Sequence, residues 1–294
     1  IAGNLLVFYF IYRNADQTDK IHAAIEKLAS GETSYKVDVN DFSSLEAELA
    51  EGLNRISDGL ETALAEQVKS ERLKADLITN VSHDIKTPLT SIINYVDLIK
   101  RQHIEDPTVQ KYLEVLDQKS QRLKTLTEDL VEASRASSGN IKLEITNIDF
   151  VELVQQTTGE FEEKYAIRHL EIVNTLPNEV IMIEADGRRL WRVLENLYNN
   201  AFKYALEGTR VYVTIEDHGA DVVFTIKNVS ANPLNISPDE LTERFVRGDV
   251  SRTTEGSGLG LSIAKDLTTL QGGKFELIID GDLFKAQITF PIKN

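Results

Sequence analysis

The chain has 294 residues, enough for about two domains at ~100–200 residues each. Its 47 acidic residues outnumber 32 basic ones, a formal net charge of −15, so there is no basic surplus to neutralise a phosphate backbone and no nucleic-acid partner is expected. Cysteine is absent, which excludes a disulfide framework, a thiolate metal site and thiol redox chemistry.

In chain order, the opening IAGNLLVFYFIY is almost wholly apolar and is followed by Arg13. It is shorter than the ~20 residues a helix needs to cross a bilayer. The expectation is the end of a transmembrane helix, 1–12, with Arg13 at the water boundary; a buried N-terminal helix is the alternative. Two amphipathic helical stretches, about 14–30 and 44–68, flank GETSYKVDVNDF, where Gly31 and alternating apolar residues predict an extended connector.

From 69 to 102, Ile78, Val81, Ile85, Leu89, Ile92, Val96 and Ile99 recur in steps of three and four. Beyond HIEDP, the series Val109, Leu113, Leu116, Ser120, Leu123, Thr127 and Leu130 does the same. These are coiled-coil seams. Two antiparallel helices bury little alone, so a second copy is expected to complete a four-helix bundle, making a homodimer. ASRASSGN, 133–140, is a small-residue hinge and domain boundary. The pattern then becomes α/β, with strands at LEIVN, VIMIEA, RVYVTIE, DVVFTIKN, GKFELII and KAQITFPI, and helices at 149–165, 187–205 and 258–271. An α+β sandwich is expected.

Three groups of residues carry chemistry. His83 lies two residues from both Val81 and Ile85 of the seam, about 200° round the helix, so it faces solvent, where a ring fills no core. Neutral imidazole is a competent nucleophile, and neighbouring Asp84 can take the other ring proton and stabilise the cation formed on attack. Thr87 shares the face of His83. Thr87-Pro88 could start a separate helix, but the seam continues in register across it, so a kink rather than a stop is expected.

In LWRVLENLYNNAFKYA, Asn196, Asn200 and Lys203 form a stripe beside the apolar one of Leu190, Leu194, Leu197 and Ala201. Asparagine is a poor helix former, and its amide oxygen suits a hard cation such as Mg²⁺ that bridges phosphates. In EGSGLGLSIAKDL, Gly256, Gly258 and Gly260 run into an amphipathic helix, where backbone N–H groups and the helix N-terminus favour an anion. No Gly-Lys-Ser/Thr follows, so this is not a P-loop.

HDIKTPLTSI resembles the H-box of bacterial sensor histidine kinases of two-component systems. The resemblance implies His83 as phosphoacceptor, Asp84 as its acid–base partner, and Thr87 as the residue that positions water during dephosphorylation. NLYNNAFKY and GSGLGLSIAK resemble the N-box and second glycine box of the histidine-kinase ATP-binding fold, shared with Hsp90-type chaperones, MutL and gyrase B; ERFVRGD at 243–249 resembles the F-box before the ATP lid. On that resemblance Asn200 would coordinate Mg²⁺, Asn196 would support the phosphate side, and Lys203 and Arg247 would reach the phosphates. Tyr204 would pack near the adenine, and Gly256, Gly258, Leu259 and Gly260 would close over the triphosphate. The helix–connector–helix at 13–68 resembles a HAMP relay domain.

The implied organisation is a membrane-helix end (1–12), a HAMP-like linker (13–68), a dimerisation and phosphotransfer domain (69–138) and a catalytic ATP-binding domain (139–294). In fold terms it is a dimeric helical coiled coil or four-helix bundle followed by an α+β sandwich of the GHKL (Bergerat) type. The implied activity is autophosphorylation of His83 from Mg-ATP and transfer to an aspartate of a response regulator, on the cytoplasmic side of the membrane, with phosphatase activity. One position departs: where the family carries Asp-x-Gly-x-Gly, this chain reads KNVSANPLN, with Asn228 for the Asp that meets the adenine amino group and Ser230 for a Gly. Asn228 still accepts through its amide oxygen, in a neutral and therefore weaker bond. A phosphatase-biased or pseudokinase scaffold, or a stand-alone ATPase of the GHKL type, are the alternatives.

Overall fold

The computed structural model describes residues 2–42, 44–102, 104, 106–139, 141–243 and 257–293. Arg247, with the rest of ERFVRGD beyond Glu243, and Gly256 lie outside the described residues. The chain divides into two compact units, Ile1–Lys74 and Ala75–Asn294.

In the first unit, α1 (Ala2–Ala29) takes up the apolar opening and the first amphipathic stretch in one helix. Among the described residues no helix is long and apolar enough to cross a membrane. The connector is irregular apart from a 3₁₀ turn at Val39–Asp41, and among the described residues it pairs with no strand. Its polar groups are satisfied by side chains of α2 (Ser44–Lys100). Asn54 Oδ1 accepts from the Val37 N–H and its Nδ2 donates to the Val37 carbonyl, both at 2.9 Å, as a neighbouring strand would. Ser57 donates to the carbonyls of Thr33 and Tyr35. Buried backbone must find such partners, and here two helical side chains replace a sheet edge. Ala24, Val37, Phe42 and Ala50 form the small core beneath.

The second unit begins within α2, so 44–68 and 69–102 do not form separate helices. The helix passes through Thr87-Pro88 without stopping, as the unbroken seam predicts. α3 (Pro107–Ser137) starts where Asp106 accepts from the N–H groups of Thr108 and Val109 and Pro107 occupies the first turn. Ion pairs Lys86–Glu128 (3.8 Å) and Lys100–Asp117 (2.7 Å) link α2 to α3 in an antiparallel register that brings Leu89 level with Thr127 and Val96 with Ser120. The seams are divided by that register. Ala75, Ser82, Leu89 and Val96 on α2, and Leu113, Ser120, Thr127 and Ser134 on α3, are buried at every seventh position. The alternate set stays open: Ile85, Ile92 and Ile99 on α2, Leu116 and Leu123 on α3. Val81, expected in the seam, is exposed as well.

Residues 133–137, expected to be a hinge, belong to α3, and Ala133 and Ala136 pack into the α/β core. They are small because another element lies against them; the chain leaves the helix at Ser138 and Gly139, the latter at φ 68°.

The α/β part has a two-stranded sheet of β1 (Thr146–Asp149) and β3 (Met182–Ala185), and a five-stranded sheet ordered β2 (Glu171–Thr175), β4 (Arg210–Asp217), β5 (Asp221–Val229), β7 (Leu283–Pro291), β6 (Lys274–Asp280). Among the described strands only β2–β4 is a parallel pair. Alternation with period two buries Val222, Phe224 and Ile226 of β5 and Phe284, Ala286, Ile288 and Phe290 of β7 on one face. α4 (Phe150–Ala166), α5 (Gly187–Tyr204) and α7 (Gly260–Leu270) cover it, and α6 (Pro238–Thr242) is a single capped turn. The expected α+β sandwich is therefore present. β1 and α6 were not anticipated, each being too short to show a period.

Candidate functional site

His83 stands on the outer face of α2 with its side chain 81% exposed, beside an equally open Asp84. Its immediate neighbour Ser82 is buried, so one residue's rotation separates the packed face from the open one. Nδ1 lies 3.6 Å from Asp84 Oδ1, which leaves Nε2 on the side of the ring away from the carboxylate. Thr87, one turn on, donates from Oγ1 to the His83 carbonyl at 3.4 Å and is exposed on the same face. Pro88 has no N–H to offer the Asp84 carbonyl, which frees one backbone acceptor beside the histidine.

A cleft of about 620 Å³ opens between the C-terminal half of α5, the end of β5, α6 and the start of α7. Asn196, Asn200, Lys203, Tyr204, Asn228, Gly258 and Gly260 all line it, so the asparagine stripe and the glycine run meet across the fold. α5 is set by Asp186, whose Oδ1 accepts from the N–H groups of Arg188 and Arg189. It is held from behind by Tyr198, in contact with Thr158 at 2.6 Å, and by Tyr165, which donates to the Tyr198 carbonyl at 2.7 Å. Burial pushes the phenols of Tyr165 and Tyr198 well above the ordinary tyrosine range. At its far end Arg168 donates to the carbonyls of Phe202, Lys203 and Ala205, capping the helix beside Lys203.

Two polar atoms in the cleft are buried without a partner: Asn196 Nδ2 and Asn228 Oδ1. Asn228, 3% exposed, uses its Nδ2 to donate to the Val229 carbonyl at 3.2 Å, which leaves its oxygen as the unpaired atom. Orphaned buried amides cost free energy and mark a place where a ligand supplies the missing bond. Ser230, at the position of a family glycine, is buried; its N–H donates to the Asp282 carbonyl at 2.7 Å and Ala231 N–H donates to the Tyr204 carbonyl at 2.8 Å. Ser230 Oγ also accepts from the Asn232 N–H at 3.4 Å, a bond that a glycine could not supply.

Gly258 takes φ +71°, a conformation side chains avoid, to turn the chain into α7. Gly260 packs closely on Asn196: a Cβ there would lie 3.3 Å from Asn196 Oδ1 and press on that amide. Leu259 precedes α7 with no side-chain cap, so the first N–H groups of that helix are left to an anion.

The sequence reading missed Asn199, which lines the cleft and whose Oδ1 accepts from Lys164 Nζ at 2.7 Å. Its i+3 and i+4 spacing to Asn196 and Lys203 was the available signal. Leu234, Ile236, Leu241 and Phe284, the apolar wall, were also missed. So were Asp129 and Arg192, joined at 2.5 Å from two distant parts of the chain.

Two family models match the chain: the His Kinase A (phospho-acceptor) domain over 73–139, and the histidine kinase-, DNA gyrase B- and HSP90-like ATPase over 185–293. Among curated proteins, the chain is 28% identical over 237 residues to the sensor histidine kinase WalK of Bacillus subtilis, covering 79% of this chain and 39% of WalK. It is 31% identical over 229 residues to the sensor protein VanS of Enterococcus faecium, covering 76% of this chain and 58% of VanS. The chain thus spans about two-fifths to three-fifths of these relatives' length. Full-length ShkA in complex with AMPPNP has a similar fold, with TM-score 0.65 at 23% identity over 74% of this chain and 46% of that one. So does the histidine kinase ThkA in complex with the response regulator TrrA, with TM-score 0.53 at 24% identity over 79% of this chain and 67% of that one. With an exposed histidine inside the phosphoacceptor match and the amide-lined cleft inside the ATPase match, the chain belongs to the two-component sensor histidine kinases.

Proposed function

We propose that this chain binds Mg-ATP in the cleft, transfers the γ-phosphoryl to His83 Nε2, and passes it to an aspartate of a response regulator. The observation that carries this reading is the union, in one polypeptide, of an 81%-exposed imidazole flanked by Asp84 and a cleft whose buried amides lack partners.

In the transfer, the Nε2 lone pair forms the bond to phosphorus as the bond from phosphorus to the β–γ bridging oxygen breaks, releasing ADP; Asp84 takes or shares the Nδ1 proton. Asn228 Oδ1 accepts from the adenine amino group, the donor its orphaned oxygen lacks. Tyr204 and the apolar wall pack about the base, while Lys203, Arg247 and the free N–H groups at the start of α7 meet the phosphates. Arg247 and Gly256 enter on the motif alone. Asn200 lines the cleft, its amide oxygen suits a hard cation that bridges phosphates, and it is the residue we assign to Mg²⁺. When bound, that ion supplies charge neutralisation on the phosphoryl oxygens. Thr87, on the face of His83, positions water for the phosphatase reaction.

The open half of each seam fits a second copy, giving a homodimer, and the apolar opening of α1 fits the end of a membrane anchor, with 13–68 a HAMP-like relay. The test is incubation of wild type and His83→Gln with labelled Mg-ATP. Wild type should gain acid-labile, base-stable phosphate; the variant should gain none while its nucleotide affinity is unchanged. Label persisting in His83→Gln would refute the assignment, and no nucleotide binding by either protein would refute the cleft.

A further inference from the structure

Arg192 lines the cleft one turn before Asn196, and each nitrogen of its guanidinium already donates to a carboxylate. It donates from Nη2 to Asp129 at 2.5 Å, from Nε to Glu132 at 2.8 Å and from Nη1 to Glu195 at 2.6 Å. Arg189, one turn earlier, adds a bond to Glu132 at 3.0 Å. Asp129 and Glu132 belong to α3, so these bonds fasten the α/β part to the phosphoacceptor hairpin. The side chains of Asp129, Glu132 and Arg192 are 11%, 17% and 23% exposed, too sheltered for water to screen them freely. Arg189, Arg192 and, beside Glu195, Lys164 face three carboxylates, and Asp129 itself lines the cleft.

We propose that Arg192 is shared between α3 and the nucleotide, so that docking on α3 and filling of the cleft oppose each other. The inference rests on the nucleotide reading above. A triphosphate would bring several negative charges beside Asp129, repelling the carboxylate, while offering the planar guanidinium pairs of phosphate oxygens of the kind arginine takes in paired bonds. Arg192 cannot serve both sides fully. Losing one partner from a sheltered ion pair leaves the other charge uncompensated, so the grip on α3 weakens as the phosphates gain theirs. Ala133 and Ala136 remain packed in the core, which keeps the docking place defined while the charges set its strength. By linkage the effect is reciprocal: whatever loosens α3 from Arg192 tightens the nucleotide by the same factor. A signal that moves α3 would then control nucleotide loading without touching the cleft.

The test uses the full chain, with calorimetric titration of Mg-AMPPNP into wild type, Asp129→Asn and Glu132→Gln, and amide hydrogen exchange across 125–137 of wild type with and without Mg-AMPPNP. Both variants should bind roughly 5- to 20-fold tighter, and nucleotide should speed exchange in wild-type α3. Glu132→Gln covers the case in which Asp129→Asn fails to fold. Unchanged or weaker binding in the variants overturns the proposal, as does unchanged or slower exchange in wild type. If no protein binds Mg-AMPPNP at all, it is the nucleotide reading that fails, and the proposal falls with it.

Discussion

Replacing Asn228 by Asp restores the residue the family resemblance leads one to expect, yet this structure predicts a divided result. In this structure Asn228 is 3% exposed and its Nδ2 donates to the Val229 carbonyl at 3.2 Å. An aspartate puts a charged oxygen there, facing another oxygen. Losing that bond and burying a charge beside a carbonyl costs about 2 kcal/mol. For a unit of this size, at roughly 2–4 °C per kcal/mol, the melting temperature falls by about 4–8 °C. With adenine nucleotide the sign reverses, because the carboxylate accepts from the exocyclic amine in a charge-assisted bond roughly twice as strong as the neutral one. A gain of about 1 kcal/mol is roughly fivefold in affinity. Thermal unfolding without nucleotide and calorimetric titration with Mg-AMPPNP, both at pH 8 where the carboxylate is ionised, measure the two halves separately. Guanine nucleotide, with a carbonyl in place of the amine, should gain nothing. An unchanged melting temperature together with unchanged AMPPNP affinity would refute the placement of Asn228 against the base.

Alkaline stability should be governed by the buried phenols behind α5. Burial raises the pKa of both Tyr165 and Tyr198, so the unfolded chain ionises first, near pH 10. Stability should therefore hold below pH 10 and fall above it by roughly 1.4 kcal/mol per pH unit for each tyrosine until the native phenols ionise. Denaturant titrations from pH 8 to 11.5 should show about half that slope for Tyr198→Phe; an equal slope in wild type and variant counts against the assignment. The dimer has its own test. Ile92, 46% exposed and on the open half of the seam, becomes in Ile92→Asp a carboxylate facing its copy across the bundle. Sedimentation should show dissociation weakened affinity by at least about 100-fold, given the cost of burying unpaired charge; an intact dimer would place the contact elsewhere.

Much of the molecule was legible from local pattern. Six strands and the three long α/β helices follow from period-two and period-3.6 alternation, and His83 was placed outward by counting round a helix. The misreadings share one cause. Ala133 and Ala136 look like a flexible linker in sequence, because small residues serve both for freedom and for close packing. Val81 and Ile85 look buried, because a seam does not say which half faces its own hairpin and which half faces a partner. The connector 31–42 looks like a strand, because nothing local announces that Asn54 and Ser57 supply the bonds a strand would have given.

The sequence by itself determined the placement of the candidate groups: which imidazole is open, which amides share a helical face, and where glycine frees the backbone. These depend on spacing of a few residues along one element, which helix and strand geometry converts directly into direction. Only the tertiary structure decided that Asn228 leaves its oxygen unpaired, that Gly260 lies against Asn196, and that Arg192 reaches Asp129. Those contacts join residues tens of positions apart, and their existence depends on how sheet and helices pack, a cooperative outcome that no local period encodes.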